Sequence, residues 1–222
     1  QISSSGQVIG QGSATDADED IAYALLRADS KWPEKGYGQA AKNMISAMMK
    51  TEVLSSNLIN PGDNWGDTKI INPSYIAPSY YKAFAEATGD TRWLTVANTS
   101  LSWLEKASDP STGLLPDWLN SDFSQPSISW DKYPNGFYYD AVRVPIRLLM
   151  EYKWNQNQTA KNILTKENNF ISQIGQPKLV SGYTLSGSPL TTYLDSTFLS
   201  AYAAMAQVNP TSELSKSTLN SL

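Results

Sequence analysis

The chain has 222 residues, of which 41% are hydrophobic and 17% are charged, and its net charge is −4. This composition is typical of one globular domain with a sizeable core, and it is too apolar for a disordered chain and too interrupted for a membrane span. The negative charge gives no electrostatic reason to expect nucleic acid or an anionic membrane as a partner. Because the chain has no Cys and no His, it excludes thiolate nucleophiles, Ser-His-Asp triads and Cys- or His-ligated metals.

Acid–base chemistry must therefore use Asp, Glu, Tyr or Lys. The chain also carries 7 Trp and 12 Tyr, an unusually large aromatic content. Carboxylates combined with exposed rings suit an enzyme that hydrolyses sugar chains, because the acids serve the glycosidic bond and the flat rings fit pyranose faces. For any single aromatic residue, packing in the core is an equally good interpretation.

The first thirteen residues are rich in Ser, Gly and Gln and predict a loop, without the charged and apolar regions of an intact signal peptide. Apolar residues at helical spacing then predict seven helices, at residues 16–32, 38–53, 78–88, 91–107, 137–152, 158–174 and 191–207. In the second of these we expect Ala41, Ile45 and Met48, with the neighbouring Met44, to face inward.

Long polar loops separate the helices. Residues 109–135 are rich in loop residues and aromatics, and residues 179–190 predict a short β-hairpin. Helices that alternate with such loops are typical of an α/α toroid, in which the loops at one end build the site. The pattern alone is equally compatible with an ordinary helical bundle.

Three separated segments carry a family resemblance. Residues 14–32, which begin Ala14-Thr-Asp-Ala-Asp-Glu-Asp-Ile-Ala-Tyr-Ala, closely resemble the signature of glycoside hydrolase family 8. The segments Asn72-Pro-Ser-Tyr75 and Tyr138-Tyr-Asp-Ala-Val-Arg-Val-Pro-Ile-Arg147 resemble two further motifs of that family, in the same order. The resemblance runs over essentially the whole chain from Ala14 onward.

The resemblance implies an all-α fold, an (α/α)6 toroid that is incomplete because its N-terminal helices are missing. Residues 1–222 would then be a single catalytic-domain fragment, the C-terminal two thirds of the toroid. The family's general acid is a Glu several tens of residues upstream of the signature. Glu19 lies inside the signature and Glu34 follows it, so we expect the acid to be absent and this chain alone to have little or no activity. A first residue that is Gln1 rather than Met agrees with a fragment.

Asp140 is the candidate general base. It is predicted at a helix N-terminus with Arg143 three residues on, so that the cation and the helix dipole are expected to favour the ionised carboxylate. Inverting hydrolysis needs such a carboxylate to activate water on the ring face opposite the acid. The resemblance likewise implies that Asp140 accepts the proton. A helix-start acid with an ordinary ion pair is the alternative.

Asp16 has a similar ambiguity, because an acid before a helix is usually a cap. The resemblance implies instead that Asp16 hydrogen-bonds the sugar at the cleavage subsite and helps hold its distorted ring. We expect Asp18 and Asp20 to cap the helix or face solvent.

Four aromatic residues complete the predicted site. Tyr75 and Tyr139 would place hydroxyl groups near the reacting ring, and Trp65 would be a stacking platform for a sugar face. Trp130 is a second stacking candidate, for which core packing remains an alternative.

These residues together predict an inverting, endo-acting hydrolase of β-1,4-glucan with no cofactor and no metal. Retention of an Asp at position 140 indicates the family group of cellulases and some xylanases, whereas chitosanases draw their base from a separate Glu. Xylan or chitosan cleavage and a non-catalytic role in polysaccharide binding or biosynthesis are the alternatives. A different glycan substrate or a purely structural helical protein fits less well. We expect a monomer that binds a polysaccharide or oligosaccharide, with no nucleic acid and no membrane partner, in a secreted or periplasmic location.

Overall fold

A computed structural model describes residues 2–221, so that Gln1 of the predicted N-terminal loop lies outside the described residues. Within them the chain forms eight helices, α1 Thr15–Lys31, α2 Tyr37–Thr51, α3 Pro78–Thr88, α4 Arg92–Ala107, α5 Val144–Asn155, α6 Gln158–Ile174, α7 Ser196–Ala206 and α8 Glu213–Asn220. The first seven correspond to the predicted helices. The sequence did not predict α8, and α5 and α7 begin later than predicted.

The ends of the helices follow from local side chains. Asn157 begins α6 because its side chain accepts the N–H of Ala160, and Asp195 begins α7 by accepting the N–H of Phe198. Gly89 ends α3 at a φ of 73°, a left-handed conformation that glycine adopts without a steric penalty. These caps satisfy backbone groups that have no partner inside the helix.

The helices pair in sequence order, α1 with α2, α3 with α4, α5 with α6 and α7 with α8. The pairs lie side by side, because α3 contacts both α1 and α5 while α5 also contacts α7. The result is an arc of two helical layers made of four helix pairs, where a complete (α/α)6 toroid has six. The predicted incomplete toroid is confirmed.

Apolar side chains from both layers fill the interior. Ala41, Ile45 and Met48 of α2 are buried, as their spacing predicted. Ile21 of α1 and Leu94 of α4 share the helical spacing of the core positions, but both are exposed. None of the helices within residues 2–221 combines the length and the apolar character that a bilayer crossing requires.

Four short strands tie the loops together. β1 Ile70–Ile71 pairs antiparallel with β2 Leu119–Asn120, and β3 Gly136–Phe137 pairs antiparallel with β4 Tyr183–Thr184. The predicted hairpin at 179–190 is present as a tight antiparallel bridge between Tyr183 and Pro189, but its first strand also pairs with β3. Because β3 occupies the start of the predicted helix 137–152, the helical prediction was wrong there. The pairing with β4 replaces the helical turn.

Candidate active site

One guanidinium joins the two carboxylates that the sequence singled out. Arg143 donates from Nη1 to Asp16 Oδ2, and from Nη2 to Asp140 Oδ1 at 2.7 Å. The exposed side-chain fractions are 17% for Asp16, 29% for Asp140 and 36% for Arg143, so the cluster is part-buried and reachable from solvent. The structure therefore brings together three predicted site residues from two distant parts of the chain.

The loop that follows α2 fixes the start of α1 and hence the position of Asp16. Thr15 is fully buried, its hydroxyl donates to Asn60 O at 2.6 Å and its N–H donates to Pro61 O at 3.2 Å. Asp16 is the second residue of α1, and its Oδ1 accepts the N–H of Ala17 at 2.9 Å. Asp16 is therefore not the cap of α1, since Ala14 occupies that position, and its other oxygen is held by Arg143. The sugar contact remains a prediction.

Asp140 lies between strand β3 and a short 3-10 turn, Ala141–Arg143, rather than inside the first turn of a long helix. A residue that the sequence analysis missed, Asp117, holds this segment. Its Oδ1 accepts the N–H groups of Tyr138 and Ala141 at 2.9 and 2.7 Å, and its Oδ2 accepts that of Asp140 at 3.1 Å. Burial raises the pKa of Asp117 to about 8, while the three N–H donors act in the opposite direction.

The ionisation of Asp140 differs from the expectation. Arg143 was expected to dominate and to lower the pKa of Asp140, but burial outweighs it and the pKa is raised. Arg143 and hydrogen bonding from Asn72 and Trp118 lower this pKa, while the charge of Asp131 raises it further. A raised pKa makes a carboxylate a stronger proton acceptor once it is ionised, which suits a general base.

The carboxylates of Asp117, Asp131 and Asp140 form an acidic cluster whose oxygens lie within 4.8 Å of one another. Asp117 and Asp140 already accept hydrogen bonds from protein groups, and Asp131 Oδ1 accepts the N–H of Tyr133 at 2.9 Å. Such a cluster alone does not indicate a metal site. Its direct consequence is electrostatic, because each negative charge disfavours ionisation of its neighbours.

Two buried N–H donors adjoin Asp140. Asn72 uses its Oδ1 to accept the N–H and hydroxyl of Ser74, at 3.0 and 2.6 Å, which starts the turn that carries Tyr75. Asn72 Nδ2 and Trp118 Nε1 are both buried without a fully formed hydrogen bond among residues 2–221. Both side chains are nevertheless close enough to Asp140 to lower its pKa. They are therefore donors directed towards the Asp140 carboxylate itself.

An aromatic cluster flanks the carboxylates. The rings of Trp65 and Trp118 lie nearly parallel, with centroids 6.1 Å apart, and Trp130 meets both edge-on at 5.9 and 5.8 Å. Tyr75 continues the cluster, 6.3 Å from Trp118. Trp130 is 59% exposed, which excludes the alternative that it packs in the core.

The two predicted tyrosines lie in different surroundings. The guanidinium of Arg143 lies 5.3 Å from the ring centre of Tyr75, and burial raises the pKa of Tyr75 to about 12. Tyr139 is 42% exposed and its hydroxyl donates to Asp195 at the start of α7. Tyr75 therefore lies beside Arg143 and its two carboxylate partners, Asp16 and Asp140, whereas Tyr139 faces α7.

A second ion pair lies one helical turn beyond the first. Arg147 donates to Asp20 at 2.8 Å, while the Asp20 side chain keeps 56% of its surface exposed, so Asp20 faces solvent as expected and is also ion-paired. Between Asp16 and Asp20 on α1, Glu19 is fully buried and accepts the hydroxyl of Tyr81 at 2.8 Å. Burial raises the pKa of Glu19 well above its ordinary value.

Comparison with known proteins gives consistent matches. The family described as "Glycosyl hydrolases family 8" matches residues 2–219. The chain is 38% identical to "Endoglucanase 2" of Ruminiclostridium josui, over 99% of this chain and 48% of that protein. It is 35% identical to "Beta-glucanase" of Niallia circulans, over 100% of this chain and 58% of that protein. The chain thus spans about half the length of the curated relatives it matches.

Solved structures share the same architecture. The apo structure of Beta-1,3-1,4-glucanase from Paenibacillus sp. X4 superposes with a TM-score of 0.89 at 30% identity, covering 99% of this chain and 63% of that one. The structure of Rex8A from Paenibacillus barcinonensis complexed with xylose superposes with a TM-score of 0.84 at 23% identity, over 98% of this chain and 62% of that one. The second likeness concerns the fold alone.

Proposed function

The chain belongs to glycosyl hydrolase family 8, and on that premise we propose that it forms part of an inverting, endo-acting hydrolase of β-1,4-glucan. In such a reaction water attacks the anomeric carbon, the glycosidic bond breaks, and the leaving oxygen takes a proton from a general acid. Asp140 is the base that takes the proton of the attacking water. The observation that carries this assignment is the placement of Asp140 against Arg143 and the hydrogen-bonding side chains of Asn72 and Trp118.

Three features support Asp140 as the base. Burial raises its pKa and so increases its basicity, while Arg143 opposes protonation and fixes one carboxylate oxygen. The side chain keeps 29% of its surface exposed, which leaves room for a water molecule. Asn72 and Trp118 direct their N–H groups towards the Asp140 carboxylate and favour its ionised form, which keeps the carboxylate oriented for the attacking water.

The remaining residues bind the sugar chain. Asp16 accepts a sugar hydroxyl at the cleavage subsite, and Arg143 holds Asp16 and Asp140 at a fixed separation. Tyr75 and Tyr139 supply hydroxyl groups, and the rings of Trp65 and Trp130 supply flat apolar faces for pyranose rings. An exposed indole beside paired carboxylates favours a neutral glycan over a negatively charged one.

The general acid comes from outside this chain. Glu19, which lies nearest to Asp16, is fully buried and engaged by Tyr81, so it cannot reach a leaving group. The matching relatives are about twice as long as the region they share with this chain, which leaves room for the acid in the part of such a protein that residues 1–222 do not cover. Because a polymeric substrate is too large to cross a membrane, we propose a secreted or periplasmic location. We also propose that the enzyme is a monomer.

The function is tested by incubating the full-length protein with carboxymethylcellulose, lichenan, xylan and chitosan. Reducing ends should appear on the β-glucans, and proton NMR should show the α-anomer as the first product, because inversion reverses the β configuration. The chain of residues 1–222 alone should release little or no sugar. Faster release from xylan or chitosan would reassign the substrate, and a first product in the β-anomer would refute the inverting mechanism.

Asp140→Asn tests the base directly. The amide keeps the shape of the side chain but cannot accept a proton, so we expect kcat to fall by at least about 100-fold, within the ~10²–10⁴-fold range of general base catalysis. Binding of a cello-oligosaccharide should persist. The matched control is Asp90→Asn, which removes another Arg-paired aspartate at the start of α4 and should leave kcat unchanged.

A non-catalytic polysaccharide-binding protein is the second candidate, because the cluster of Trp65, Trp118 and Trp130 suits the binding of sugar rings without cleavage. It predicts binding of oligosaccharides by the full-length protein without any new reducing ends. An active full-length protein whose activity depends on Asp140 excludes it.

A further inference from the structure

The segment that carries Asp140 is clamped from one side by a single residue. Asp117 donates its own N–H to Gly136 O at 2.8 Å, which joins it to strand β3. Its carboxylate then accepts the N–H groups of Tyr138, Asp140 and Ala141. Backbone and side chain of Asp117 therefore hold consecutive parts of the same stretch, from β3 to the turn behind Asp140.

This arrangement is costly for the fold. Asp117 is only 1% exposed, and a carboxylate removed from water loses hydration worth several kcal/mol. The hydrogen bonds from three backbone N–H groups to this one side chain offset the lost hydration. The two oxygens have distinct partners, because Oδ1 takes the donors of Tyr138 and Ala141 while Oδ2 takes only that of Asp140.

We propose that Asp117 is a positioning residue for Asp140, which holds the backbone of residues 138–141 so that the Asp140 carboxylate stays on Arg143 and faces the substrate. Asp117 is buried behind the turn and does not itself touch the sugar. The role rests on the proposed function, since it matters only where Asp140 acts as the base. The other groups that face Asp140 are Arg143, Asn72, Trp118 and Asp131.

The test is Asp117→Asn in the full-length enzyme. The Asn oxygen can still accept the two bonds made by Oδ1, but its NH2 group cannot accept the N–H of Asp140. Only the hydrogen bond from the Asp140 N–H is lost. The backbone of Asp140 is therefore free to shift, while the bonds from Tyr138 and Ala141 persist. Since a displacement of about 1 Å can reduce the rate ~100-fold, we expect kcat to fall about 100-fold with KM within about threefold of the wild type.

Asp109→Asn is the matched control. Asp109 also holds a turn with one oxygen, accepting the N–H groups of Ser111 and Thr112 at 2.8 and 3.0 Å, in the loop that follows α4. Because the Asn oxygen can accept both of these bonds, this variant makes the same Asp-to-Asn change at another turn without removing a hydrogen bond, and it should leave kcat unchanged. Asp117→Glu is a second variant, because it keeps the carboxyl group but adds a methylene. We expect kcat to fall in it as well.

Hydrogen exchange gives a readout that does not depend on activity. In residues 1–222, the amide of Asp140 should exchange faster in Asp117→Asn than in the wild type, while the amides of α3 keep their protection. A folded Asp117 variant that retains wild-type kcat and Asp140 amide protection would overturn the positioning role. Retention of activity by Asp140→Asn would instead refute the base assignment, so the two failures are distinguishable.

Discussion

Glu167 in α6 should make the protein less stable as the pH rises. Its side chain is fully buried, and neither carboxylate oxygen has a hydrogen-bond partner among residues 2–221. Burial raises its pKa well above the ordinary value, because no partner compensates for the lost hydration. The surrounding packing is tight, since a Cβ placed on Gly113 would lie 2.9 Å from the Glu167 nitrogen.

The sign and size of the effect follow from proton binding. Above an unfolded-state pKa of ~4.3 the unfolded chain releases the Glu167 proton while the native protein keeps it. The free energy of unfolding then falls by about 1.4 kcal/mol per pH unit, until the pH reaches the raised native pKa. Glu167→Gln removes this contribution, so the stability of the variant relative to the wild type should increase steadily as the pH rises above the unfolded-state pKa of ~4.3.

Urea unfolding from pH 4 to 7, followed by circular dichroism, measures this difference. The slopes due to Glu19 and Glu52, whose pKa values burial also raises, remain in both proteins and cancel in the comparison. Glu105→Gln on the exposed side of α4 is the control, and its stability difference should not change with pH. A difference between wild type and Glu167→Gln that stays constant across this range would refute the reasoning.

Two further predictions concern the site. Arg143→Met removes the cation that lowers the pKa of Asp140, so carbon-detected NMR titration of the Asp140 carboxyl should give a higher pKa than in the wild type, while Arg92→Met leaves it unmoved. An unchanged or lower pKa would show that Arg143 does not stabilise the ionised base. Trp65→Ala in the full-length protein should weaken binding of a cello-oligosaccharide by about threefold to tenfold in calorimetry, as ring contacts contribute ~0.5–1.5 kcal/mol. Phe123→Ala, an exposed ring stacked on Trp103 outside this cluster, is the control, and equal losses in both variants would contradict a specific stacking role for Trp65.

Much of the fold could be predicted because helix formation depends mainly on residues that are close together in the sequence. The apolar spacing of Ala41, Ile45 and Met48 gave the buried face of α2 correctly, and the pairing of Arg143 with Asp140 follows from their separation by three residues. The polar segment of α8 has few apolar residues to reveal its period. Its start depends on the Ser212 side chain, which accepts the N–H of Ser215.

The features that were missed depend on distant parts of the chain. Strand β3 forms because β4, more than forty residues later, supplies its partner, and this overrides the helical spacing that follows residue 137. Asp117 reaches its backbone donors from 21 to 24 residues away, and no period in the sequence marks it. The pKa of Asp140 was expected in the wrong direction because burial by several loops, rather than the neighbouring Arg143, decides it.

The two ion pairs between α1 and the start of α5 also bear on how the molecule acquires its activity during folding. Asp16 with Arg143 and Asp20 with Arg147 are each separated by 127 residues, and closing a flexible loop of that length costs about 4 kcal/mol of chain entropy. Contacts this distant form slowly compared with helices, which need only neighbouring residues. Asp140 and Arg143 can meet early, but Asp16 reaches them only when α1 packs beside the start of α5. Regain of sugar cleavage after refolding should therefore lag behind regain of the helical signal.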